Sequence, residues 1–220
     1  MKLDQDVTAR RGRPKSEEKR ESISQAAAEL FLAEGFDRCS MDSIAAAAGV
    51  SKQTVYSHFA NKDELFRSCI AAKVRLYDLT VDADAHDSLE SGLAAFADGF
   101  LRLISDPDAV KMWRLVMHEA EAHPHVARLF FETGPQESLT ALVRFIGHHG
   151  DRLEVDDYSG AARTFLGLVA DVWHNRILLG VIDTVEPAAR RAHVSRVTAQ
   201  FMQLFGRSGG HAANGSKPLT

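Results

Sequence analysis

The chain is 220 residues long, 45% hydrophobic and 25% charged, with a net charge of −4. No apolar run approaches the roughly 18–20 residues that a membrane span needs, and the N-terminus MKLDQDVTARRGRPKSEEKR lacks the apolar core of a secretory signal, so a cytoplasmic chain with no membrane partner is expected. An acidic chain is unsuited to coating nucleic acid wholesale, yet residues 8–20 gather Arg10, Arg11, Arg13, Lys15, Lys19 and Arg20 against Glu17 and Glu18, which points to phosphate at one end only.

Taken in order, residues 1–15 read as a basic, disordered arm. A first helix is expected from about Glu17 to Glu34, capped by Ser16 and ended by Gly35, with Ile23, Ala27, Leu30 and Phe31 on one stripe. Ser40 caps a short helix through Ala48, which Gly49 stops. Ser51 caps another from about Lys52 to Phe59, with Val55 and Phe59 on its inner face. Asn61 and Glu64 form a capping pair that opens a helix running to about Leu79. After a polar connection at Thr80–Asp87, helices are expected at about 88–105, 107–121, 124–132, 135–149, 156–179 and 187–205. Pro107 and Pro124 suit first turns, and the long proline-free stretches leave the helices unbroken. Period-2 strands and internal repeats are absent. The expected fold is all-α: a three-helix domain with a helix-turn-helix over 16–61, then an antiparallel helical bundle over 62–206. The Gly/Ser/Asn-rich tail, 207–220, reads as disordered.

Two short helices joined by a tight turn at Gly49 form a helix-turn-helix, weak evidence by itself. The outer face of the second displays Lys52, Gln53, Thr54 and Tyr56. Gln pairs with adenine edges, Lys with guanine, and the Thr methyl meets the thymine methyl. Backbone N–H groups at the helix start, with Ser51, suit a phosphate. The stretch GFDRCSMDSIAAAAGVSKQTVYSHFANKDELF resembles the DNA-binding signature of the TetR family, over roughly residues 16–66. Its elements are a Gly-aromatic pair, a hydroxyl cap, I-A-x-x-A-G-V-S, T-V-Y-x-H-F and x-K-D-E-L-F. WRLVMHEAEAHPHVARLFFETGP is similar to the ligand-domain text of one TetR subgroup. The resemblance implies that Ser40 and Ser51 contact phosphate, that Lys52, Gln53 and Thr54 face base edges, and that Tyr56 meets backbone or a thymine methyl. It also implies phosphate contacts for His58 and Lys62. Arg10-Arg11-Gly12-Arg13-Pro14 reads either as an AT-hook-like arm in a narrow minor groove or as a solvated basic tail.

Catalytic and metal patterns fail. His118 and His123 come near H-E-x-x-H, but the second histidine falls one residue late, off the first one's face. No phosphate-binding glycine loop or nucleophile elbow is present, so neither a cofactor nor enzyme chemistry is expected. Cys39 and Cys69 have no partner spacing, and read as reduced buried residues or as a redox-sensing thiol. Phe96, Phe100, Trp113, Met117, Phe130, Phe165 and Trp173, with His118 and His174 as polar companions, are either core or the wall of an apolar effector cavity. The expected mechanism is that of a repressor. A homodimer through 156–179 and 187–205 sets two reading helices on a near-palindromic double-stranded operator. A small apolar effector then shifts it to the wrong spacing through the helix over 62–79. The rivals are a DNA-binding protein without effector and a helical-bundle enzyme.

Overall fold

The structure, a computed structural model, describes residues 15–79 and 88–207. The arm with Arg10, Arg11 and Arg13, the connection at Thr80–Asp87 and the tail beyond Arg207 lie outside the described residues. The fold is all-α. Among the described residues the chain forms α1 (Lys15–Glu34), α2 (Met41–Ala47), α3 (Lys52–His58), α4 (Lys62–Leu76) and α5 (Leu89–Ile104). These are followed by α6 (Pro107–Glu119), α7 (Pro124–Phe131), α8 (Glu137–His148), α9 (Tyr158–Leu178) and α10 (Pro187–Phe205).

Local chemistry explains most boundaries. Ser40 and Ser43 cap α2 reciprocally, as Ser88 and Ser91 cap α5, satisfying N–H groups that a helix start leaves open. Ser51 accepts from the Thr54 N–H at the start of α3. Asn61 accepts from the Glu64 N–H at 2.8 Å, while Glu64 reaches back to the Ala60 N–H at 2.7 Å. Gly35 and Gly49 carry positive φ, 87° and 65°, the backbone that ends α1 and turns α2 into α3 with little strain for glycine alone. Three boundaries differ from expectation. Helix α1 begins at Lys15, so Ser16 lies inside its first turn instead of capping it. Helix α4 stops at Leu76, just before Asp78 turns left-handed at φ 51°. Between α7 and α8, Glu132–Gln136 widens into a π-turn around Pro135, a proline that has no N–H for a normal helical bond.

The described residues fall into two compact units: those up to Ala72 with Leu115–Phe130, and Lys73–Arg114 with the residues from Phe131 on. In the first, Phe31, Phe36 and Phe66 form a triangle with ring centroids 5.2–5.6 Å apart. Ile23, Ala27, Ile44, Val55 and Phe59 are buried in the same unit. In the second, α10 packs on α5 and α9, and α8 on α9. Its core includes Leu89, Leu93, Phe96, Phe145, Phe165 and Phe201. Val194, Val197 and Phe201 of α10 are buried within the subunit, and the Phe201 ring lies 5.3 Å from that of Phe165. Leu204, near the end of the same helix, is exposed. Helix α9 breaks at Asp171 (φ 35°, ψ −137°). Beside the break, buried His193 donates from Nε2 to the Val169 carbonyl, while Arg196 donates to Nδ1, which fixes that tautomer.

Candidate nucleic-acid interface

Helix α3 is only seven residues long, and its buried residue is Val55. Phe59, which ends it, is 1% exposed. With that side turned inward, the 3.6-residue period turns Lys52, Gln53 and Tyr56 outward, and all three are exposed. Thr54 is half-buried, its hydroxyl 2.8 Å from that of Ser51. The Lys52 ammonium lies 2.7 Å from the Asp42 carboxylate of α2, which holds its pKa above the usual lysine value. Both side chains are more than half exposed, so a phosphate or base edge can displace this pairing at small cost. Ser40, at the start of α2, is exposed and already serves as that helix's cap. Ser40, Ser51, Lys52, Gln53, Thr54 and Tyr56 therefore lie on one helix-turn-helix, with two helix N-termini among them.

One of the expected phosphate ligands, Lys62, is engaged inside the protein. The Lys62 ammonium donates to the carbonyls of Phe36 at 2.8 Å, Cys39 at 3.1 Å and Asp37 at 3.4 Å, and it sits 4.3 Å from the centre of the Phe36 ring. An ammonium has three N–H groups, so this conformation leaves none for a phosphate. His58 is half-buried at the end of α3, and its carbonyl accepts from Arg20 at 2.8 Å. These roles link residues far apart in the chain, and the spacing of neighbours carries no sign of them.

The effector candidates separate. Phe96 and Phe165 are fully buried core residues, and Phe100 stacks 6.2 Å from Phe96. Trp113 of α6 and His174 of α9 meet edge to face at 5.0 Å. Trp173 packs beside Val110, Ile177 and Val185. Burial lowers the His174 pKa and so favours the neutral ring. Trp173 Nε1 and His174 Nδ1 are buried without a hydrogen-bond partner. Met117, 63% exposed, and His118 face outward, contrary to their expected place on an inner wall. The buried stripe of α6 runs through Val110, Met112 and Val116 instead. Half-buried Phe130 belongs to the first unit, whereas Trp113 and His174 belong to the second.

The thiols are shielded. Burial, reinforced by Glu34, pushes Cys39 up to about 11. Burial pushes Cys69, whose Sγ–H donates to the Ser24 carbonyl, up to about 12. Neither forms the reactive thiolate readily at neutral pH. His123 lies 2.7 Å from Asp37 and 3.6 Å from Glu119, and among the described residues no cluster of three ligating side chains could hold a metal. No helix among them is long and apolar enough to cross a membrane.

Comparison with known proteins places this geometry. Residues 23–69 match bacterial regulatory proteins of the tetR family, and residues 91–207 match the C-terminal domain of AefR-like transcriptional repressors. The HTH-type transcriptional regulator SrpR of Pseudomonas putida is 29% identical over 111 residues, covering 50% of this chain and 51% of SrpR. The HTH-type transcriptional repressor SCO4008 of Streptomyces coelicolor is 30% identical over 134 residues, covering 60% of this chain and 56% of the relative. The chain thus spans about half the length of these curated relatives. Among solved structures, the flavonoid-responsive regulator FrrA superposes with a TM-score of 0.69 at 32% identity, covering 88% of this chain and 100% of FrrA. A TetR-family regulator from Mesorhizobium loti gives 0.69 at 25% identity, covering 89% and 100%.

Proposed function

This chain belongs to the TetR family of bacterial regulatory proteins, and from that membership we propose that it is a repressor released from its operator by a small apolar effector. It is an HTH-type transcriptional regulator and not an enzyme. The observation that carries the DNA reading is the outward set on α3: Lys52, Gln53 and Tyr56 are exposed around a buried Val55. In this proposal residues 16–61 hold the DNA-binding part and 62–206 the effector and dimer part. Gln53, Lys52 and Thr54 read base edges. Tyr56 meets backbone or a thymine methyl, while Ser40, Ser51, His58 and the arm arginines Arg10, Arg11 and Arg13 meet phosphate or the minor groove. Lys62 acts by holding the 36–39 turn. The protein acts in the cytoplasm as a homodimer through α9 and α10, on an operator with half-sites one helical turn, ~34 Å, apart or a multiple of that.

Repression is supported by the AefR-like match over 91–207, and response to a small molecule by the likeness to FrrA. The proposed effector site is the Trp113–His174 contact with Trp173. Its two unpartnered ring nitrogens suit an apolar molecule that carries one hydrogen-bonding group. Effector binding releases DNA only if it prefers the subunit geometry that DNA does not.

The test has two steps. Duplexes bound by the full chain are selected from random DNA, and gel shifts on the selected duplex are then repeated with a library of neutral aromatic compounds. The reading expects a near-palindromic enriched sequence and at least one compound that releases it. No enriched sequence would remove the DNA reading. An enriched sequence that no compound releases would leave a DNA-binding regulator without this effector.

A further inference from the structure

Helices as short as α3 have little stability or direction of their own, because nucleating a turn costs more than a few hydrogen bonds return. What aims α3 is therefore what it is tied to. Ser51 caps its N-terminus, and Val55 sinks into the core at its middle. One apolar peg inside a helix sets its depth but leaves it free to swing about that point. The C-terminal end is where a swing is stopped, and there Phe59 is buried just past the last turn with Arg20 of α1 laid on its ring.

We propose that Arg20 is a positioning residue for DNA reading: it pins the C-terminal end of α3 so that Lys52, Gln53, Thr54 and Tyr56 meet the groove in one orientation, and it makes no phosphate contact of its own. Its Nη1 donates to the His58 carbonyl at 2.8 Å, and its guanidinium carbon stands 4.3 Å from the centre of the Phe59 ring. The His58 carbonyl belongs to the last turn of α3, where the helix supplies no partner and a cation is favoured by the helix dipole. A planar guanidinium can donate at its edge while its face lies on a ring. Together these two contacts fix both the position and the roll of the helix end. Arg20 is half-buried, and its tie to His58 bridges 38 residues of chain. Gln53 sits five residues from His58, a lever of about 7.5 Å along the axis. A tilt of the unpinned end by some tens of degrees thus shifts the reading side chains by ångströms, enough to spoil a bidentate base contact. By charge alone Arg20 groups with the arm's arginines. Its geometry removes it from that group, because a cation engaged on the protein releases no counterion from DNA.

The inference rests on α3 being the reading helix, so the test carries a control for that. The full chain and its variants Arg20→Met, Arg20→Lys and Gln53→Ala are titrated, over a series of salt concentrations, onto a duplex selected by the unaltered chain and onto a scrambled duplex. Arg20→Met should weaken the selected duplex roughly ten-fold or more while the scrambled one changes less than about two-fold, the scale of one lost base contact. The salt slope should stay put, and Arg20→Lys, which keeps a donor but loses the planar stack, should recover part of the discrimination. If Arg20→Met does not fold, Arg20→Lys carries the same test with a smaller expected loss. A slope lower by about 0.9 would make Arg20 a phosphate ligand and overturn the proposal. So would equal weakening on both duplexes, which marks general support of the fold. If Gln53→Ala loses discrimination while the Arg20 variants keep it, α3 still reads DNA and the positioning role fails. If neither Gln53→Ala nor the Arg20 variants lose discrimination, the reading of α3 falls and this inference falls with it.

Discussion

One ammonium group, that of Lys62, ties the carbonyls of Phe36, Asp37 and Cys39 to the start of α4, and removing it measures what that tie contributes. Lys62→Met keeps an aliphatic stem against Phe36 but leaves those carbonyls without their charged donor. A loss of about 1–3 kcal/mol in urea unfolding is expected, with the salt slope of DNA binding unchanged. A slope lower by about 0.9 at unaltered stability would return Lys62 to the phosphate ligands. The contrast with Gln53 explains which residues can be read from sequence. Gln53, Lys52 and Tyr56 are outward because Val55 and Phe59 are inward, a matter of helical phase within eight residues. Ser40 and Ser51 cap because their partners lie three residues on. Lys62 and Arg20 take partners 23–38 residues away, and their charge alone fits a phosphate equally well. Met117 shows the same limit from the apolar side, since a hydrophobic residue can sit one position off the buried stripe of its helix.

Between helices, the α5–α6 corner is held by one carboxylate. Asp106 accepts from the Tyr77 hydroxyl at 2.6 Å and from the Ala109 N–H at 2.8 Å, and pairs with Lys73 at 2.9 Å. Burial pushes its pKa up, but Tyr77, Ala109 and Lys73 outweigh this and hold it below the usual carboxylate value. Burial, with the bond to Asp106, pushes Tyr77 up to about 12. The signs follow by linkage. Asp106, depressed, contributes stability above its unfolded pKa of ~3.9 that is lost as pH falls through the lower folded value. Tyr77, raised, contributes stability below its unfolded pKa of ~10 that is lost as pH climbs toward its folded value. The melting temperature should therefore fall above pH ~10, and Tyr77→Phe should flatten that alkaline limb while lowering the neutral plateau. Identical alkaline limbs would show that the Tyr77 proton plays no part. At this scale the sequence was highly legible: caps and prolines mark starts within a few residues of where helices begin, as at Pro107, Pro124 and Pro187. The break at Asp171 was not, because nothing in GLVADVWH interrupts a helix locally and the His193 ring bonded beside it comes from another helix.

For the whole molecule, the two remaining questions are what the arm touches and how two subunits meet. Deleting residues 1–14 should weaken operator binding and flatten its salt dependence by about 0.9 for each phosphate the arm neutralises; an unchanged slope would leave Arg10, Arg11 and Arg13 off the DNA. The proposed dimer needs a more careful variant than a charge at Phe201 of α10, because Phe201 is fully buried against Phe165 in its own subunit. A charge at Phe201 would unfold the subunit wherever the interface lay. The surface of α9 and α10 left for a partner is different. Gly167 is exposed, with open space where a Cβ would stand. Around it Leu168, Asp171, Arg196, Val197 and Gln200 line a cleft of about 310 Å³, and Leu204 is 61% exposed on α10. An exposed glycine inside a helix costs about 1 kcal/mol relative to a better helix former, so Gly167→Arg should leave the subunit as stable as before or more so. In the dimer the same side chain would stand where a second copy must approach closely, as small residues allow. Gly167→Arg should thus sediment as a folded monomer and bind the selected duplex more weakly, since one reading helix then has no partner on the second half-site. A Gly167→Arg chain that stays dimeric would move the interface off this face, whatever the fate of Phe201.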